Sequence, residues 1–177
     1  MTTVKADAVL SFFKELNQFP RTSSHEKAVS DWLAQLAKDR NLPVKQNDKW
    51  DVIITKPATP GYENKPSVIL QGHIEMVGEK EHDSNHNFET DPIECIIDGE
   101  WMHANQTTLG ADNGMGVAMA LAILDSKDIA HGPMTALFTT NEETGMDGAE
   151  AVQKGDLDGQ YLINIDTEVE GEFIVSC

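Results

Sequence analysis

A histidine and several carboxylates stand just beyond the apolar runs of this sequence. His73 and Glu75, in "VILQGHIEMV" (68–77), follow Val68-Ile69-Leu70. Glu142 and Glu143 follow "MTALFTT" (134–140), and Asp166 and Glu168 follow "QYLINI" (160–165). Asp112 sits in the Gly-rich "LGADNG" that opens a helix. One imidazole with carboxylates and no thiolate is a donor set suited to zinc, manganese or cobalt in a hydrolytic site. A carboxylate bridging two ions would account for Asp112 at a Gly-rich turn, where backbone can approach closely. In the pair Glu142-Glu143, one side chain can bind metal while its neighbour, pointing differently, takes a proton from water. Each signal alone is weak, because His-x-Glu is common and adjacent glutamates are mostly solvated. The coincidence of four segments carries the reading. "GADNGMG" fits a phosphate-binding G-x-G-x-x-G poorly, and Asp112 would repel phosphate there, which argues against a nucleotide site. His82, His86 and His103 read as solvated or structural, and His25 and His131 receive no role.

The elements that must position these groups follow from apolar spacing. Residues 7–19 carry Val9, Leu10, Phe12, Phe13, Leu16 and Phe19 at helical intervals and close at Pro20. Ser23 and Glu26 form a candidate capping box before a second amphipathic helix with Val29, Trp32, Leu33, Leu36 and Ala37 on one stripe. A third helix, over 113–126, is apolar nearly all round and is expected to be buried. Strands are expected near 51–55, 67–71, 134–140 and 160–165, with a hairpin over 94–103 turning at Asp98-Gly99 and a further strand starting at 171–176. Residues 55–66 and 78–92 read as a Pro/Gly-rich connector and a polar loop. Strands alternating with helices predict an α/β fold, a three-layer α/β/α arrangement with a mostly parallel mixed sheet. In such sheets ligands bind beyond the carboxyl ends of the strands, where the candidate ligands stand.

Bulk properties narrow the partners. The 177 residues suffice for one domain with a core. A net charge of −17 argues against nucleic acid or an anionic membrane surface. Cys95 and Cys177 make no disulfide framework and suit a reducing compartment. "MTTVKADAVL" has no signal-peptide pattern, and the apolar run near Val117–Leu124 is too short to span a bilayer, so a soluble cytoplasmic protein is expected.

"LQGHIEMV", "TTLGADNGMGVAMALAIL", "LFTTNEETGM" and "LINIDTEVEGE", with "FPRTSSHEKAVSDWL" near the start, together closely resemble the aminoacyl-histidine dipeptidases (Xaa-His dipeptidases or bacterial carnosinases). These belong to a clan of co-catalytic zinc amidohydrolases that also holds tripeptidases, deacylases and aminoacylases. The resemblance implies hydrolysis of Xaa-His dipeptides such as carnosine by a metal-bound hydroxide. It implies two zinc ions, with manganese or cobalt as alternatives. By that resemblance His73 and Asp166 bind one ion, Asp112 bridges both and Glu143 holds the second. Glu142 is the general base, and Glu75 orients His73. The family pattern at 75 is aspartate, so Glu75 carries an extra methylene. Gln106 stands where glycine is common, and Thr167 where serine is frequent. Family members are longer, which makes residues 1–177 the N-terminal part of a catalytic domain that lacks a lid and dimerisation domain. The chain alone is then expected to be inactive, or to serve as a non-catalytic metal-binding module. The complete enzyme is expected to form a homo-oligomer, a dimer.

Overall fold

The computed structural model describes residues 4–167, 169 and 171–175. Glu168 and Cys177 lie outside the described residues. The chain builds helices α1 (Ala6–Leu16), α2 (Lys27–Asp39), α3 (Ala111–Asp125) and α4 (Asp147–Ala151), with a 3₁₀ turn at Glu142–Thr144. Its strands are β1 (Val44–Gln46), β2 (Val52–Lys56), β3 (Val68–His73), β4 (Cys95–Asp98), β5 (Trp101–Ala104), β6 (Met134–Thr139) and β7 (Tyr161–Asn164). None of the helices is long and apolar enough to cross a membrane.

Five strands form one sheet in the order β1-β2-β6-β3-β7. The β3·β6 and β3·β7 ladders are parallel, while β2 runs antiparallel to both β1 and β6. Four of the five strands therefore point the same way with β2 reversed, and the sheet is mixed, with two parallel and two antiparallel ladders. β6 is buried along its whole length, which explains why "MTALFT" shows no alternation. β2 reads through the sheet: Val52 and Ile54 face the main core, and Ile53 faces the other side.

The main core lies between the sheet and α1, α2 and α3. Phe13, Leu16, Leu33, Leu121 and Phe138 are fully buried in it. α3 is lined by small residues, and Gly114, Gly116, Ala118, Ala120 and Ala122 are all buried. That composition lets α1 and β3 come close to its axis. The opposite face of the sheet is covered more thinly: Ile53, Ile69 and Leu137 pack against Val152 and Leu157, beyond α4. β7 is an edge strand, as is β1, and Tyr161, Leu162 and Ile163 are 60%, 54% and 50% exposed. Half of the burial benefit is missing there, so Ile163→Ala should lower the unfolding free energy by less than about 1 kcal/mol. Urea titration of the variant checks this; a larger loss would mean that β7 is better covered than its exposure indicates.

Three local expectations need correction. α2 starts at Lys27, and its N-cap Glu26 makes no side-chain capping bond. The Glu26 carboxylate instead accepts a hydrogen bond from the Asn141 amide at 3.0 Å, so the proposed Ser23–Glu26 capping box does not form. The hairpin pairs Asp98 with Trp101, which places the turn on Gly99-Glu100, one residue later than expected, with Gly99 at φ 61°. Residues 171–175 form no strand. They follow the edge strand β7 and have no ladder to join among the described residues.

Candidate metal centre

β3 and β6 run parallel and deliver their following residues to the same edge of the sheet. His73 is the last residue of β3 and pairs with Thr139, the last of β6. The chain then turns at Asn141, which takes φ 56° and starts the 3₁₀ turn carrying Glu142 and Glu143. β7 ends at Asn164, two residues before Asp166. Asp112 enters from behind β3, at the head of α3. Its backbone is extended (φ −81°, ψ 118°), so the regular helix starts after it.

These elements bring the predicted groups together. One ligand atom each of His73, Asp112 and Glu143 lies within 4.8 Å of the other two. His73 Nε2 is 3.2 Å from Asp112 Oδ1 and 3.7 Å from Asp166 Oδ1. His73 is buried and Asp112 is 69% exposed, so the cluster has a dry floor and an open mouth. Beside it, an open cavity of about 520 Å³ is lined by Asp112, Met115, Met119, Asp166 and Thr167. Glu142 is half-buried next to Glu143 but is not one of the three clustered ligands.

Glu75 is fully buried although it is a carboxylate. Its Oε2 lies 3.4 Å from His73 Nδ1, the ring nitrogen turned away from the cluster. Its Oε1 accepts the backbone amide of Glu143 at 3.1 Å. One side chain therefore touches both the imidazole and the turn that presents Glu143. The extra methylene relative to aspartate is accommodated within the fold, and Glu75 does not turn to solvent.

The electrostatics follow from this crowding. Burial alone would lower the His73 pKa, but Glu75, Asp166 and Asp112 outweigh it and hold it up at about 9. Burial pushes the Glu143 carboxyl up, and Asp112 pushes it further. Burial also raises the Asp166 carboxyl, against the opposing pull of His73 and of the Asn113 amide. Carboxylates packed this closely around one imidazole favour a cation among them.

Sequence reasoning missed two further groups. Asn113 is buried, and its Nδ2 donates to Asp166 Oδ1 at 2.6 Å and to the Ile165 carbonyl. It ties the Asp166 segment to the head of α3. Its signal was an amide between the glycines of "GADNGMG". Arg21 is 1% exposed, and its Nη1 and Nη2 donate within the fold while its Nε has no partner among the described residues. It appeared only as one letter of "FPRTSSHE".

Glu26 supports the same region from the far side, through the Asn141 amide. Burial raises its pKa. A carboxyl raised above its unfolded value of 4.5 adds stability below that value and loses it as pH rises through the folded pKa. Glu26→Gln keeps an oxygen for the Asn141 amide and removes the buried charge. The variant should therefore lose less stability than the parent between pH 5 and 8, measured by urea unfolding at several pH values. An identical pH slope in both would remove Glu26 as a contributor.

Residues 69–173 match the model of peptidase family M20/M25/M40, a stretch covering more than half of the chain and containing every predicted site residue. The chain belongs to this peptidase family. It is 44% identical over 165 residues to the cytosol non-specific dipeptidase of Escherichia coli (strain K12), covering 93% of this chain and 34% of that relative. It superposes on the aminoacylhistidine dipeptidase of Vibrio alginolyticus with a TM-score of 0.91 and 46% identity, covering 96% of this chain and 34% of that one. A tripeptidase from Staphylococcus aureus shares the fold at a TM-score of 0.78 and 22% identity, over 95% of this chain and 45% of that one. The chain thus spans about a third of the length of the dipeptidases it matches. The M20/M25/M40 membership makes this a hydrolase fold of the peptidase type. The α/β architecture expected from the strand–helix alternation is the architecture of these relatives.

Proposed function

We propose that this chain supplies the metal-binding and general-base groups of a dipeptidase acting on Xaa-His dipeptides in the cytoplasm. The observation that carries the reading is the convergence of His73, Asp112 and Glu143 within 4.8 Å, with Asp166 beside His73. One imidazole and three carboxylates, without thiolate, suit zinc, with manganese or cobalt as alternatives. His73 and Asp166 would hold one ion, Asp112 would bridge and Glu143 would hold a second. An ion bound there supplies Lewis-acid chemistry, polarising the peptide carbonyl and making water more acidic.

The chain's own residues do the rest. Glu75 keeps the His73 ring oriented so that Nε2 faces the cluster. Glu142 stands next to Glu143 but outside the three-ligand cluster. It accepts the proton of the attacking water on its carboxylate and passes it to the leaving amine. The cavity beside Asp112 and Asp166 leaves room for a small substrate. Preference for Xaa-His over other dipeptides rests on the likeness to the aminoacylhistidine dipeptidase, and the relative from E. coli bears the broader name of a non-specific dipeptidase. The proposed assembly of the whole enzyme is a homodimer, and residues 1–177 would contribute to its catalytic domain.

Zinc titration by calorimetry, with carnosine hydrolysis followed on the same preparation, tests this reading. We expect about one zinc ion per chain, from the three protein ligands that suffice for an open zinc site. The chain alone should show no measurable hydrolysis, because Asp112 is largely exposed and nothing among the described residues shields the cluster from water. Fused to the portion of the E. coli dipeptidase that it does not span, the chain should gain carnosine hydrolysis. Absence of zinc binding would end the proposal.

A further inference from the structure

Arg21 lies in the loop between α1 and α2, outside the stretch that matches the peptidase family model. It is among the largest fully buried side chains of the chain. A buried guanidinium is costly unless its donors are used. Nη1 donates to the carbonyls of Ile74 at 3.0 Å and Glu75 at 2.8 Å. Nη2 donates to the carbonyl of Gly110 at 2.7 Å and to Asn17 Oδ1 at 2.8 Å. Asn17, at the end of α1, donates in turn to the Leu109 carbonyl at 3.1 Å. The Met76 amide bonds back to the Arg21 carbonyl at 3.0 Å. The contacts thus converge on two short backbone stretches, 74–76 and 109–110. The first follows His73 and contains Glu75; the second lies two residues before Asp112.

The glycines of "LGADNG" fit this arrangement. A Cβ on Gly110 would overlap Arg21 Nη2, and one on Gly114 would come within 2.9 Å of the same atom. Gly110 also takes φ 71°. The glycine-rich turn is therefore open for a side chain of the protein itself. Burial lowers the Arg21 pKa to about 10, which leaves it charged at neutral pH.

We propose that Arg21 is a positioning residue for the metal centre: its planar fork clamps the Glu75 and Gly110 backbones together and so sets the placement of His73, Glu75 and Asp112. The inference rests on the metal-binding reading of the cluster. A fork of several donors in one plane can serve three carbonyls and an amide oxygen at once, which a lysine ammonium cannot do with the same geometry.

The test compares Arg21→Met and Arg21→Lys with Leu33→Ala in the full 177-residue chain. Leu33 is fully buried in α2 and belongs to the core, away from the cluster. Two quantities are read. One is hydrogen exchange of the Glu143 amide without metal, which reports the bond to Glu75 Oε1. The other is zinc affinity by calorimetry. Arg21→Met should speed exchange at Glu143 about tenfold, as local opening would. It should weaken zinc about tenfold or more, in the range seen when a residue supporting a ligand is lost. Arg21→Lys should fall between Arg21→Met and the parent on both. Leu33→Ala should lose global stability and change neither. Arg21 variants that keep parental exchange and affinity, or that only follow Leu33→Ala at equal stability, would overturn the proposal. If Arg21→Met does not fold, Arg21→Lys decides by itself. A parent chain that binds no zinc refutes the metal reading, while exchange at Glu143 still decides whether Arg21 sets the site.

Discussion

Replacing His73 with alanine should reduce zinc affinity by more than about 100-fold, beyond the upper end of what the loss of a ligand's supporting partner costs. His73 is the one imidazole of the three-residue cluster, and its Nε2 is the nitrogen turned toward Asp112 and Asp166. Without it the remaining donors are carboxylates of partly exposed residues, which compete poorly with water for zinc. The pH dependence gives a second check. A zinc ligand must be neutral imidazole, and the metal-free ring is held protonated up to about pH 9. Zinc affinity should therefore rise by roughly tenfold per pH unit below that point, for one proton released, and flatten above it. The same shift has a sign for stability. A histidine whose folded pKa lies above the unfolded 6.5 adds stability to the metal-free chain below pH 6.5, and that contribution disappears as pH rises through 9. Zinc and protons thus stabilise the same site at opposite ends of the pH range. Affinity independent of pH between 6 and 9, or parental affinity in His73→Ala, would remove His73 from the ligand set.

Glu142→Ala should leave zinc binding close to parental and cost about 10²–10⁴ in turnover, the usual contribution of a positioned general base. Glu143→Ala should lose zinc along with turnover. The contrast follows from geometry: Glu143 offers an oxygen to the cluster with His73 and Asp112, and Glu142 does not. The backbone separates the two roles. Asn141 in the left-handed region starts the 3₁₀ turn, and the Glu143 amide is held by Glu75, which fixes which of the two side chains faces the cluster. Zinc content and carnosine hydrolysis, measured on the fusion with the remaining portion of the E. coli dipeptidase, check the pair. Exchanged phenotypes would assign Glu143 as the base and Glu142 as the ligand.

The sheet was legible in the sequence because its central strands are buried on both faces. "VIL" and "MTALFT" are apolar-rich with no polar alternation of exposed positions, and each strand ends within two residues of its expected boundary. The convergence of His73 with the Glu142-Glu143 pair follows from one general property of parallel strands, that their ends lie side by side. Asp112 is legible from the Gly-rich turn that opens α3, and the choice of Glu143 over Glu142 comes from the family resemblance. β1 escaped notice because "VKQ" is short and mostly exposed, with only Val44 packed against the core. The capping box failed because Glu26 has a stronger demand on it, from an amide far along the chain. Gln106 shows local chemistry that the sequence only hinted at. It sits at φ 59°, a backbone region that glycine enters without penalty, which accounts for the glycine common there in the family. Arg21 was illegible for another reason. A buried arginine is recognised by the carbonyls that surround it, and carbonyls leave no trace in residue identity.

β6 is placed between β2 and β3, although roughly eighty residues separate it from β2 in sequence. The centre of the sheet therefore closes late, after a long loop has been brought together, and such topology slows folding. Until it closes, β2 and β3 have no shared neighbour, and His73 has no Glu143 opposite it. The cluster of His73, Asp112 and Glu143 is then a record of completed folding, and a divalent ion bound there as proposed would reward only that final state. At a free concentration 100 times its dissociation constant, such an ion would add about 2.7 kcal/mol to the folded chain. Cells that run short of the metal would hold more of this chain unfolded, open to proteases, so that metal supply would govern how much of the protein survives as well as how much of it works.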